Sequence, residues 1–341
     1  MQERDRSLDI AKGICIVLMV VGHSGCPEYL FNFIYSFHMP CFFFISGMLL
    51  CNKYLTDIKG GILKKLKGYY WPFIKWEMIF LLLHNVFVYF HIYKNCYTIP
   101  EIIMESIRVL TMSGGEQLLG GFWFLICLTW ASIGSILFFG MLQKYNKLTD
   151  IYILSGVILS VIIASIEIYF PFYVPQQLDE KTFLALAFFM SGYLYRRLGM
   201  NRNNPMAHWY ILCLMIPAII SFFIHLSMAD AKMLSGFYFI VALSGSVGIL
   251  QFARILGNGS IADVFNYIGN KTLYILIFHF ISFKIVSYIW LICNREPIER
   301  MSEFPTQSGA PYWLWIIYCI VGVGVPLAIW EIRHKILSSK N

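Results

Sequence analysis

Long apolar runs limit what this chain can become. Ten stretches, each close to the roughly 20 residues that cross a hydrocarbon core as a helix, follow one another and break at charge clusters, Gly/Pro and Asn/Asp. They lie at 8–25, 30–51, 71–92, 121–142, 150–170, 182–198, 206–228, 233–252, 271–293 and 312–332. Of 341 residues, 58% are apolar and only 13% charged, with a mean hydropathy of +0.66; soluble domains carry nearly twice that charge. Too few polar side chains remain to coat a water-exposed globule. This excludes a soluble enzyme, a disordered chain and a nucleic-acid-binding module. The expected fold is an all-α polytopic membrane protein, a bundle of about ten transmembrane helices forming one domain over residues 1–341. The first run starts basic, but it lacks a small-residue cleavage site and is interrupted by Asp9 and Lys12. It therefore reads as a retained helix rather than a signal peptide.

Charge distribution gives the expected orientation. With the N-terminus inside, the inner segments hold 16 basic residues: Arg4, Arg6, Lys53, Lys59, Lys64, Lys65, Lys67, Lys144, Lys147, Arg196, Arg197, Arg202, Arg254, Arg333, Lys335 and Lys340. The outer segments hold six: Lys94, Arg108, Lys181, Lys232, Arg295 and Arg300. The positive-inside rule then places both termini in the cytoplasm, which requires an even number of spans. The longest outer segment, 93–120, contains a helix start at Thr98-Ile99-Pro100-Glu101, with a capping hydroxyl, an early proline and an acid at the positive dipole end. Ile99, Ile102, Ile103, Ile107 and Leu110 follow mostly on one face, predicting a short amphipathic helix on the outer interface. The nine cysteines show no paired spacing and read as small buried hydrophobes.

Ionisable side chains inside a span cost a few kcal/mol each on insertion scales, so each marks a candidate functional site. The first run carries Asp9, Lys12 and His23. Asp9 and Lys12 are three apart and can pair on one face. Lys12 and His23 are eleven apart, three turns plus about 20°, so they share a stripe roughly 16 Å long. The second run carries His38 beside Pro40, about two turns in at a depth similar to His23. Pro40 leaves a carbonyl near Ser36 without a donor, which predicts a kink and a polar pocket. Glu77, His84 and Asn85 in the third run could line the same cavity or bridge helices, and the bridge is the favoured reading. Glu167 and His225 read as interfacial.

The run Asp9-x-x-Lys12-Gly13 … Gly22-His23, followed by Phe37-His38-Met39-Pro40-x-Phe-Phe-Phe-x-Ser46-Gly47, resembles the acyltransferase 3 family of bacterial integral-membrane acyltransferases. It is especially similar to the branch of fucose 4-O-acetylase-like sugar O-acetyltransferases. Weaker matches are Gly121-Phe-Trp123-Phe124-Leu125, Phe189-Met-Ser-Gly192 and Ile268-Gly269-x-x-Thr272-Leu273-Tyr274-x-x-x-x-His279.

The resemblance implies transfer of an acyl group, usually acetyl from cytoplasmic acetyl-CoA, to a hydroxyl of a glycan such as an O-antigen, capsule or exopolysaccharide. It implies a multi-pass protein of the bacterial inner membrane. The family's basic-residue-x10-His pair falls on Lys12 and His23, with Lys where many relatives have Arg. Its basic R-x-x-R-like element falls on Lys64 and Lys67, near the CoA nucleotide. On this reading Lys12, Asp9, His23 and His38 serve catalysis, and Lys12, Lys64 and Lys67 attract CoA. Trp123, Tyr274 and His279 contact substrate, with Trp123 equally readable as a belt aromatic. His23 would take the proton of the acceptor hydroxyl, help worth about 10²–10⁴-fold, while His38 or Tyr274 steadies the oxyanion. Direct transfer and a two-step route through an acyl-histidine are both open. No metal-ligand spacing is present in the sequence, and no metal is expected. A secondary transporter or flippase of glycan assembly is the rival reading, since it too suits ten helices with buried charge. Against it, the ionisable residues cluster on the first two spans instead of in symmetry-related halves. An idle membrane scaffold is a third reading.

Overall fold

The computed structural model describes residues 5–167, 178–199, 207–228 and 235–338. The described chain is helical throughout and contains no strand. The elements are α1 (Arg6–His23), α2 (Glu28–Tyr35), α3 (His38–Met48), α4 (Lys53–Thr56), α5 (Ile58–Lys65), a π turn over Leu66–Tyr70, and α6 (Trp71–Leu82). Next come α7 (His84–Tyr89), α8 (Ile99–Leu110), a 3₁₀ segment over Gln117–Phe122, α9 (Trp123–Lys144), α10 (Asp150–Glu167) and α11 (Glu180–Arg197). A 3₁₀ segment over Ala207–Leu214 leads into α12 (Met215–Ile220), followed by α13 (Ser235–Leu256), α14 (Ser260–Gly269), α15 (Thr272–Asn294), a 3₁₀ turn over Ile298–Ser302 and α16 (Leu314–Ser338).

Each of the ten apolar runs contains helix, but among the described residues six helices are long and apolar enough to cross a membrane: Glu28–Met48 taken across its break, Gln117–Lys144, α10, α13, α15 and α16. The others fall short for physical reasons. α1 carries Arg6, Asp9 and Lys12 within 18 residues. The third run breaks at Leu83 into α6 and α7. α11 has charges at both ends, and the seventh run divides into a 3₁₀ segment and a six-residue helix. Residues 168–170, 206, 233 and 234 of the predicted runs, and Arg4, Arg202, Lys232 and Lys340 of the charge tally, lie outside the described residues.

The second run is the largest departure from expectation. It is two helices joined at Ser36–Phe37, and His38 is the first residue of α3 rather than a residue two turns into one span. Pro40 then sits in the first turn of α3, where its missing N–H costs nothing.

α1, α3, α11 and α13 form the centre, with α14, α15 and α16 laid against α1. Two crossings are backbone to backbone. A Cβ on Gly47 would overlap the Phe189 carbonyl, and one on Gly192 would overlap the Phe44 carbonyl, so α3 and α11 touch through paired glycines. Gly13 and Gly269 do the same for α1 and α14 against Phe265 and Asp9. In lipid, where apolar burial gives helices little reason to associate, such close approach is a main source of attraction. At the end of this crossing Arg196 donates to the Met48 carbonyl at 2.7 Å, satisfying an orphan acceptor at the α3 C-terminus. α16 lies at the periphery, its most apolar window only 17% buried against 67% for Gln117–Lys144.

α8 matches expectation. Thr98 and Glu101 form a capping box, with the Thr98 N–H and hydroxyl both donating to Glu101 at 2.7 Å. Ile99, Ile103, Met104, Ile107 and Leu110 stand exposed along it.

Candidate functional site

At the end of α1 opposite the N-terminus, three imidazoles meet. His23 closes α1, and the break after Tyr35 lets the chain turn so that Tyr35 and His38 both face it. The Tyr35 hydroxyl is 3.1 Å from His23 Nδ1, and the Tyr35 and His38 rings meet edge-on at 5.1 Å. From α15, His279 stacks on His23 with centroids 5.6 Å apart and planes 28° apart, while Phe280 leans on His23 at 4.9 Å.

Hydrogen bonds fix two of the ring tautomers. His38 Nδ1 lies 2.7 Å from the Ile34 carbonyl, and His279 Nδ1 lies 3.0 and 3.1 Å from the carbonyls of Ile275 and Leu276. A carbonyl only accepts, so each Nδ1 carries the hydrogen and, in the neutral ring, Nε2 carries the lone pair. His279 Nε2 is buried and bonded to nothing among the described residues.

His23, Tyr35, His38 and Trp123 line a chamber of about 90 Å³ with Met19 and Met39. A second cavity of about 230 Å³ also reaches Met19 and Met39 and continues to Lys12, Gly68, Tyr69 and Thr272. Met19 and Met39 thus line both the cavity that holds Lys12 and the chamber that holds the imidazoles. Methionine is unbranched and adaptable, suited to a constriction that deforms. Lys12 pairs with Asp9 at 2.7 Å.

Beyond the chamber, at the same end, a polar frame holds the loops. The Glu116 N–H donates to the Glu77 carboxylate at 2.8 Å. His84 Nδ1 lies 3.0 Å from the Glu116 carboxylate, and its Nε2 lies 3.0 Å from the Asn95 carbonyl. Asn85 pairs reciprocally with the Tyr97 backbone, both bonds at 2.8 Å. From α15, Lys284 donates to the Met301 carbonyl at 2.7 Å and the Glu303 carbonyl at 2.5 Å.

A family model described as an acyltransferase domain, the acyltransferase 3 model, matches residues 5–331. The chain belongs to the acyltransferase 3 family. The nodulation protein NolL of Mesorhizobium japonicum is 27% identical over 177 residues, which is 48% of this chain. That match spans 43% of the length of NolL. No solved structure matches the chain significantly.

For this acyltransferase 3 chain, the residues named from sequence sort by position. His23, His38, His279 and Trp123 come together, and Asp9 and Lys12 pair as their spacing predicts. Tyr274 is not brought to the imidazoles. Five residues on a helix rotate a side chain by about 140°, so Tyr274 points away from His279 and its hydroxyl meets Arg333 of α16. His279 accordingly faces His23 and not Tyr274. Lys271 instead sits over the rings of Tyr267 and Trp330, at 3.3 and 4.2 Å. Lys64 and Lys67 are exposed, and neither lines the passage, although Gly68 and Tyr69 beside them do. Lys65 is the lysine of that group turned inward, with Nζ 3.3 Å from the Tyr69 hydroxyl. Glu77, His84 and Asn85 bond to the loops at 95–97 and 116 rather than bridging helix to helix, and Glu167 is buried rather than interfacial. Three residues escaped sequence reasoning. Tyr35 and Glu116 gave no signal beyond being polar near a candidate region. Lys284 did, as a lysine in the middle of an apolar run.

Proposed function

We propose that the chain is a transmembrane O-acyltransferase that moves an acyl group, acetyl foremost, from acyl-CoA to a hydroxyl of a cell-envelope or secreted glycan. The observation that carries this reading is the pair of cavities that share Met19 and Met39, one lined by Lys12 and the other by His23 and His38. A thin pantetheine arm suits the lower passage. The nucleotide, with its several negative charges, would rest near Lys64, Lys65 and Lys67, with Lys12 further in. This orientation places the N-terminus and the lysine cluster in the cytoplasm of a bacterial cell, as the basic residues suggest, with about ten passes of the inner membrane and both termini inside.

His23 acts as general base. With Tyr35 accepting from Nδ1–H, Nε2 takes the hydroxyl proton as the acceptor oxygen attacks the thioester carbonyl carbon. The carbon–sulfur bond breaks, and the leaving thiolate takes up the proton from the imidazolium. The Tyr35 hydroxyl hydrogen is then free to point into the chamber and stabilise the oxyanion. Tyr274 is too far round the helix for that task, and His38 has spent its donor on Ile34. His38 presents a lone pair at Nε2, which suits it to relay a proton. Asp9 holds Lys12 in place at the passage mouth.

The reading is tested with purified protein, labelled acetyl-CoA and a glycan from the producing cell, reading acetyl ester by mass spectrometry. Acetyl-CoA-dependent ester formation is expected from the wild type and none from a folded His23→Ala variant. Full transfer by that variant would remove His23 from the chemistry. An absence of any acyl-CoA turnover by the wild type would leave the transporter reading in its place.

A further inference from the structure

We propose that a third, larger cavity at the His23 end of the bundle is the recognition site for a neutral saccharide, the acceptor of the acyl group. This inference rests on the acyl-transfer reading for the word acceptor, but its geometry is separate. The cavity holds about 580 Å³, within the range of pockets that enclose a ligand of drug size. Its walls are Tyr97, Asn95, Glu116, Gln117, Glu303 and Phe304, with Tyr93 behind them.

The lining chemistry selects the ligand class. Two carboxylates repel an anion, yet both are already engaged. Glu116 faces His84, and Glu303 takes Arg300 Nε at 2.7 Å and the Ser308 N–H at 2.7 Å. With their charge compensated, they offer lone pairs rather than a cation site. Asn95 and Gln117 are exposed and present both donors and acceptors. Aromatic rings stand beside these groups. Hydroxyls that donate and accept, on a ring with an apolar C–H face, match this mixture. An acyl chain would leave the polar groups unpaired, and a charged peptide would find no free countercharge beyond Lys94.

The cavity is also pre-built. Asn85 and His84 fix the 95–97 backbone, Glu77 fixes Glu116, and Lys284 fixes the turn that carries Glu303 and Phe304. Four polar side chains on helices are thereby spent on holding loops, the kind of preorganisation that lowers the cost of binding. The site also leads to the chemistry. The Phe304 ring packs on Phe280 at 4.6 Å, and Phe280 packs on His23 at 4.9 Å. The segment whose Gln117 lines this cavity carries Gly121 and Trp123 to the chamber wall. A bound sugar therefore stands two aromatic rings from the imidazole.

The test is saturation-transfer difference NMR on the full chain in lipid nanodiscs prepared without glycoside detergent. The probes are methyl hexosides, methyl 6-deoxyhexosides and, as control, a charged tetrapeptide. Neutral glycosides are expected to bind. The double variant Asn95→Ala/Gln117→Ala is expected to weaken them at least ten-fold with an unchanged unfolding temperature, and His23→Ala is expected to bind glycoside like the wild type. Equal glycoside binding by the double variant, binding of the peptide alone, or no glycoside binding would each overturn the proposal. Labelled acetyl-CoA added to the same samples separates the two claims. Cavity-dependent glycoside binding without acyl-CoA turnover would sink the transfer reading and leave the saccharide site standing.

Discussion

His84 and His38 are both buried histidines near the same end of the bundle, and they are built for opposite purposes. Both ring nitrogens of His84 face acceptor oxygens, on Glu116 and Asn95, and its ring is stacked on Tyr97 at 3.7 Å. Nothing is left over for chemistry, and the residue works as a rivet between loops. His38 spends one nitrogen on a carbonyl and lines a cavity, as does His23 with Tyr35. The difference shows that burial of an imidazole says little about reactivity. A nitrogen left without a fixed partner says more.

That contrast sets the predictions. His23→Ala should lower transfer by about 10²–10⁴-fold while leaving the unfolding temperature nearly unchanged, read by acetyl-ester formation and a thermal melt. His84→Leu should do the reverse. It strands the buried Glu116 carboxylate, and losing one partner of a buried pair costs about 3–5 kcal/mol. A fall in unfolding temperature should therefore precede any specific loss of activity, and a stable but inactive His84→Leu protein would break the distinction. Tyr35→Phe removes both the acceptor of the His23 Nδ1–H and the donor to the oxyanion, and should lower turnover by about 10²–10³-fold, with acceptor affinity unchanged.

The smallest effect lies in the loop after α15. Arg300 bonded to Glu303, together with the Ser308 N–H, holds the Glu303 carboxyl down at about 2. A carboxylate with a depressed folded-state pKa stabilises above its ordinary value and loses that contribution as pH falls through the lowered one. Hydrogen-exchange protection in residues 298–308, taken relative to the intrinsic rate at each pH, should be high at pH 5 and fall between the ordinary carboxylate range and about pH 2. The exposed setting keeps the effect modest. Protection that is flat across that window would mean the ion pair does not order the loop.

The sequence made some features legible and hid others, for identifiable reasons. Helical character and the short α8 could be read because apolar runs and a capping box are local signals. Asp9 with Lys12 could be read because three-residue spacing sets a helix face. The pairing of His23 with His279 could not, because it joins α1 to α15 across the bundle and no local pattern encodes it. Tyr274 was misplaced for a related reason: sequence proximity to His279 concealed the rotation between them. The break at Ser36–Phe37 was visible only as a kink at Pro40, and the turn that presents Tyr35 and His38 together lies where Phe37 meets Gly245 of α13, a contact no local pattern encodes. The motif glycines carried a meaning the sequence did not show. Gly47 with Gly192, and Gly13 with Gly269, are the points where helix backbones touch.

We propose that the acyl group enters at the lysine end and leaves on a hydroxyl at the histidine end. Sealed proteoliposomes test it most directly, with labelled acetyl-CoA outside and glycan acceptor only inside. Labelled ester should appear on the enclosed glycan with the wild type and stay at background with His23→Ala. Ester formed only when donor and acceptor share one compartment would contradict the account.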